Sequence, residues 1–181
     1  MACSAGGLGR GWKASAVPAL SAGLMPYRFG EDGALEVLVV HPGGPFWAEK
    51  DDGAWSIAKG EYEAGEEPER AAEREFAEEL GQDPPAGPWI DLGELRQPSG
   101  KRVRAWAVEG DLDAASIVSN EFEMEWPPGS GRRAWWPEVD RATWLSVAEA
   151  KRKLLKGQVA FVDRLVEHLA EPRRGDVSSG S

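Results

Sequence analysis

The chain has 181 residues, 41% of them hydrophobic, and a formal net charge of -10 at pH 7. That length supports one compact core and not two ordinary ones, and the acidic balance opposes attraction to the phosphates of polymeric nucleic acid. No apolar run approaches the length of a membrane span, and the single cysteine, Cys3, excludes an intramolecular disulfide and fits a reducing, cytoplasmic setting.

Residues 1–15 read as a flexible leader, because the apolar stretch after Arg10 and Lys13 is broken by Pro18 and Ser21 and is a poor secretory signal. ALSAGLMPYRF at 19–29 and LEVLVVH at 35–41 predict two strands about the turn GEDG, the second apolar enough to lie inside a sheet. Glycines, prolines and acids make 42–54 a loop, which leads into WSIAKG at 55–60. A helix is predicted from about Glu67 and Pro68 to Gly81, with proline in its first turn, acids at its positive end and glycine as its stop. Residues 88–97 and 101–110 predict a hairpin closed by PSG, with Val103, Ala105 and Ala107 on one face and Trp106 on the other. A strand is expected around 121–126, then a proline-glycine loop and a short strand near 142–145. Ser146 is placed to cap an amphipathic helix, and a second runs from about Gln158 to Ala170. Residues 171–181 offer almost nothing to bury and read as a disordered tail, which leaves 16–170 as the domain.

Chemistry concentrates between Gly60 and Gln82. Glu75, Glu78 and Glu79 stand at i, i+3 and i+4, so on a helix they fall within an arc of about 100°. Carboxylates that close repel one another unless cations neutralise them, and hard divalent metals with oxygen ligands are the natural partner. A solvated surface helix with internal ion pairs explains the alternating charges. It does not explain Gly60, Gly65 and Gly81 at their spacings.

This stretch resembles the Nudix hydrolase signature G-x(5)-E-x(7)-R-E-U-x-E-E-x-G-U, where U is bulky and apolar. Gly60, Glu66, Arg74, Glu75, Phe76, Glu78, Glu79 and Gly81 fit in register, while Gln82 replaces the final apolar residue. Ala58 stands where the W-x-x-P-K-G lead-in usually has proline. With HPGGPFWAEKDDGAWSIAKGEYEAGE, RQPSGKRV and NEFEMEWPPGSGR, the chain looks like bacterial Nudix proteins described as predicted NTP pyrophosphohydrolases. Its plan is also similar to that of diadenosine tetraphosphate hydrolases.

The resemblance implies an α/β fold, a mixed β-sheet sandwiched between helices. It further implies a hydrolase of a small nucleotide pyrophosphate that uses Mg2+, with Mn2+ as a substitute, to activate water for attack on phosphorus. A dinucleoside polyphosphate or a nucleoside triphosphate leads as substrate. The implied metal ligands are Glu75, Glu78, Glu79 and the carbonyl of Gly60, with Glu66 and Arg74 as a supporting ion pair. The general base stays open between Glu75 and the acids Glu121, Glu123 and Glu125, which alternate along one side of the expected strand. Lys59, His41, Trp47 and Lys101 are candidate substrate contacts, with Trp126 and Ser99 behind them. A sugar-nucleotide or dinucleotide pyrophosphatase, a non-hydrolytic nucleotide sensor of the same fold, and a homodimer also stay open.

Overall fold

A computed structural model describes residues 19–171. The expected leader and, apart from Glu171, the expected tail lie outside the described residues. Strand β1 (Leu20–Phe29) turns into β2 (Leu35–Pro42) through Gly30 to Gly33, where Gly33 takes the left-handed conformation at φ 76 and donates to Gly30 O at 2.8 Å. After the loop come β3 (Ala58–Glu61), helix α1 (Pro68–Leu80), β4 (Ile90–Arg96) and β5 (Arg102–Glu109). Then follow β6 (Glu121–Glu125), β7 (Arg133–Pro137), β8 (Val139–Ser146), α2 (Val147–Lys153) and α3 (Val159–Ala170).

β1 is the spine of a six-stranded mixed sheet ordered β4-β5-β1-β2-β8, with β3 also paired to β1. One edge of β1 runs parallel to β5; the other is shared antiparallel, its first half with β3 and its last residues with β2. Strand alternation divides the core. Ala22, Leu24, Leu38, Trp106 and Val108 point to the face covered by Ala71, Ala72, Phe76 and Leu80 of α1. Met25, Val37, Val39, Val103 and Ala105 point to the other face, under Ala150 of α2 and Phe161, Val162 and Leu165 of α3. Burial of Phe76 alone stabilises this arrangement by about 1.5–3 kcal/mol. The chain thus forms the expected α/β/α sandwich.

Helix ends follow from side-chain chemistry. Pro68 opens α1, and Gly81 closes it at φ 66 with its N–H on Ala77 O at 2.8 Å. Ser146 and Glu149 form a reciprocal capping box on α2. Among the described residues, no helix is long and apolar enough to cross a membrane.

Two features depart from expectation. β8 begins at Val139 rather than near 142, and β7 is a strand where a loop was expected. β7 pairs only with β6, as a two-stranded ribbon outside the main sheet. Its sequence RAWWP lacks an alternation that predicts a strand, because its burial comes from another segment. Phe122 and Trp136 pack over Gly44, and Phe46 meets Trp126 edge-on with ring centroids 5.1 Å apart.

Candidate active site

The site forms where α1 meets the edge strand β3. Glu79 Oε2 accepts the Lys59 backbone N–H at 2.9 Å, which joins the last turn of the helix to the free edge of the strand. The next strand residue, Gly60, faces Glu75, and any Cβ there would overlap the Glu75 carboxylate outright. Only glycine lets the two elements approach this closely. Arg74 spans the group, with Nη1 2.5 Å from Glu75 Oε1 and 3.5 Å from Glu78 Oε2. Its Nη2 lies 3.3 Å from Glu66 Oε1 and 3.4 Å from the carbonyl of Glu61, so it also fixes the loop between β3 and α1. Glu78 is the most open of the three helix carboxylates, with 43% of its side chain exposed.

Burial raises the Glu79 carboxyl to about 7, against the pull of Lys59 and with a further push from Glu75 and Glu138. Burial likewise raises Glu75, with Arg74 opposing and Glu78 and Glu138 adding to the rise. Crowded, partly desolvated carboxylates of this kind lack positive charge, and an all-oxygen set suits a hard divalent cation. As they stand, no three acidic, histidine or cysteine side chains among the described residues converge enough to hold an ion. Glu75 is paired with the Arg74 guanidinium. Glu75, Glu78, Glu79 and the Gly60 carbonyl remain the donors that fit such a cation.

Glu138 is the residue that sequence reasoning missed. It sits at the junction of β7 and β8, and its charge acts on both Glu75 and Glu79. Backbone bonds hold it there: Glu138 N donates to Asn120 O at 2.8 Å, Asn120 N donates to Glu78 O at 3.1 Å, and Gly43 N donates to Glu138 O at 2.9 Å. The only sequence signal is an acid between Pro137 and Val139, with no spacing that relates it to the helix. Glu123, the expected alternative base, lies instead on the ribbon with Glu121 and Glu125, and Arg133 Nε pairs with it at 3.0 Å. The distant carboxylate that acts on the helix acids is Glu138.

The candidate substrate contacts separate into two groups. Lys59 and Lys101 gather beside β3, where Lys101 Nζ lies 2.9 Å from Glu61 Oε1. Burial pushes the Lys59 ammonium down, Glu79 opposes that, and Lys101 adds to it. Ser99 shapes the nearby turn by accepting the Lys101 N–H at 3.5 Å. His41, by contrast, is fully buried, which corrects the expectation that it meets substrate. Its Nδ1 lies 2.8 Å from Asp140 Oδ1 and its Nε2 2.8 Å from the Lys50 carbonyl, so it ties the 42–54 loop to β8. Trp47 is half-buried against the core with the Lys50 ammonium 4.5 Å over its ring, so one ring face is already covered.

Comparison with known proteins agrees with this architecture. The NUDIX domain model matches residues 19–168. No curated protein matches the chain. Among solved structures, the NUDIX domain of Shewanella oneidensis NrtR complexed with ADP ribose has a TM-score of 0.59 at 16% identity, covering 84% of this chain and 89% of that one. A C. elegans Ap4A hydrolase in a binary complex gives 0.58 at 20% identity, over 83% of this chain and 98% of the other. A mutT/nudix family protein from Listeria innocua gives 0.56 at 16% identity, over 84% and 95%. At such identities the likeness is one of fold.

Proposed function

Because the chain belongs to the NUDIX domain family, we propose that it is a pyrophosphohydrolase acting on a small nucleotide that carries a phosphate anhydride, with magnesium or manganese as the metal. A dinucleoside polyphosphate or a nucleoside triphosphate is the leading substrate, and the cytoplasm is the site of action. The observation that carries this reading is the seat of Glu75 against the bare backbone of Gly60, with Glu79 and Glu138 crowded beside it.

A bound divalent cation would supply a water of lowered pKa and would neutralise the nonbridging phosphate oxygens. Glu75, Glu78, Glu79 and the Gly60 carbonyl would hold it. Arg74 would then release Glu75 while Glu66 keeps its guanidinium in place. Glu138 takes the proton of the attacking water on its carboxylate, a role supported by its place beside the helix acids and its freedom from ligand geometry on α1. Lys59 stands ready to orient a phosphate from the strand side.

The test is incubation with magnesium and a panel of nucleoside triphosphates, dinucleoside polyphosphates, ADP-ribose and sugar nucleotides in oxygen-18 water. Product identity and the labelled phosphorus report the substrate class and the bond attacked. Tight binding of a panel member with no hydrolysis of any would overturn the proposal in favour of a nucleotide sensor.

A further inference from the structure

The outward face of the β6–β7 ribbon has no part in the hydrolytic chemistry. Register sets Glu123 opposite Trp135, Glu125 opposite Arg133 and Glu121 opposite Pro137, and residues in register across a pair of strands share a face. Phe122 and Trp136 point the other way, over Gly44. The outward face therefore carries three carboxylates against the single guanidinium of Arg133, which pairs with Glu123 at 3.0 Å. Trp135 stands among them 63% exposed, although tryptophans are on average well buried.

Other indoles of this chain meet cations of the chain itself. Arg28 lies 4.3 Å over the Trp144 ring, Lys50 4.5 Å over Trp47, Arg104 5.2 Å over Trp106 and Arg141 5.5 Å over Trp55. Trp135 is more open than any of these four, and among the described residues no cation covers it. A bare ring bordered by carboxylates attracts a cation through both its π face and its charged neighbours. Beside it, β6 pairs with β7 alone, so among the described residues no strand occupies its other edge. The exposed acids Glu121, Glu123 and Glu125 recur at every second residue, about 6.8 Å apart, which is the spacing of alternate side chains on a strand added to that edge.

We propose that this face docks an extended basic segment of a partner protein, which adds as a strand along the open edge of β6. Alternate arginines of the segment stand against Glu121, Glu123 and Glu125, and the central guanidinium reaches across to stack on Trp135. Its intervening apolar side chains lie on the inner side with Phe122 and Met124. Arginine suits the place better than lysine, because its planar group both stacks on an indole and bonds a carboxylate with two donors. Charge decides the class of partner. A second copy would bring the acids of its own β6 against these, and like charges facing each other across an edge oppose pairing. The face is also only about 17 Å long and two strands wide, far below the roughly 800 Å2 per partner of a stable dimer. A chain of net charge -10 attracts a basic segment from a distance as well.

The test is titration calorimetry of a blocked synthetic peptide, three arginines alternating with valines, into the full chain. Binding should saturate at one peptide per protein. Trp135→Ser should weaken it about 10-fold, and Glu121→Gln and Glu123→Gln about 3-fold each, while Glu49→Gln in the exposed 42–54 loop should leave it unchanged. A peptide with lysines in place of the arginines should bind about 3-fold more weakly. Circular dichroism should show the wild-type fold in every variant, and nucleotide turnover should be the same in all of them. No saturable binding, or equal affinity in the wild type and the three ribbon variants, would overturn the proposal, the latter because net charge alone then holds the peptide. A wild type that sediments as a dimer while Trp135→Ser sediments as a monomer would overturn it in favour of a second copy, and a raised KM for nucleotide in Trp135→Ser would overturn it in favour of a substrate contact.

Discussion

Raising the pH on the metal-free protein should make it unfold more readily, and Glu79 is the principal cause. Its carboxyl, close to 4.5 in the unfolded chain, is lifted to about 7 by burial in the fold. Between those values the folded chain keeps a proton that the unfolded chain has released, so stability is full below the lower value and declines as pH rises through the upper one. At about 1.4 kcal/mol per pH unit, ionising Glu79 costs the fold about 3 kcal/mol. For a domain of this size that corresponds to a fall in Tm of roughly 10 °C. Burial of Glu75 acts in the same direction. The assay is thermal unfolding followed by circular dichroism from pH 5 to pH 8.5, on the wild type and on Glu79→Gln. The variant keeps an oxygen to accept the Lys59 N–H but has no proton to lose, so its Tm should vary much less with pH. Magnesium should restore most of the loss in the wild type at pH 8 and little in the variant. An identical pH slope in the two proteins would refute the reasoning.

Gly60→Ala should leave the fold intact at moderate temperature but displace Glu75, lowering kcat about 100-fold or more, as read by magnesium-dependent turnover alongside circular dichroism. Glu138→Gln should reduce kcat about 100- to 10,000-fold with little change in KM, whereas Glu123→Gln should leave both nearly unchanged. His41→Ala should cost about 2–4 kcal/mol in chemical denaturation, since it leaves a cavity, strips the Lys50 carbonyl of its imidazole partner and leaves Asp140 with Arg141 alone, and any protein that remains folded should still turn over substrate.

Elements whose structure is decided locally could be read from the chain, and those decided by distant contacts could not. Pro68 and Gly81 bound α1 because helix ends depend on φ preferences within a few residues. The division of Val103, Ala105 and Ala107 from Trp106 also follows from simple alternation. β7 escaped detection because Trp136 finds its burial over Gly44, about ninety residues earlier in the chain. His41 differs from its expected place for a related reason: a polar residue at a strand end looks accessible until Asp140 and Lys50 close over it. Glu138 is the clearest case. Two relayed backbone bonds through Asn120 bring it to the helix, and no periodicity in the sequence encodes such a route.

That relay through Asn120 also separates what must stay constant from what is free to vary. The stretch from Glu121 to Pro137 leaves the body at Asn120 and returns at Glu138, and these two neighbouring anchor points are themselves bonded to each other. The ribbon therefore behaves as a cassette, tied to the 42–54 loop as well by Phe122 and Trp136 over Gly44 and by Trp126 against Phe46. A different hairpin spliced between the same anchors would keep Glu138 in place over the helix acids while presenting new side chains to whatever approaches. The backbone seat of Glu138 and the surface that the ribbon presents can then vary along separate lines in one small domain.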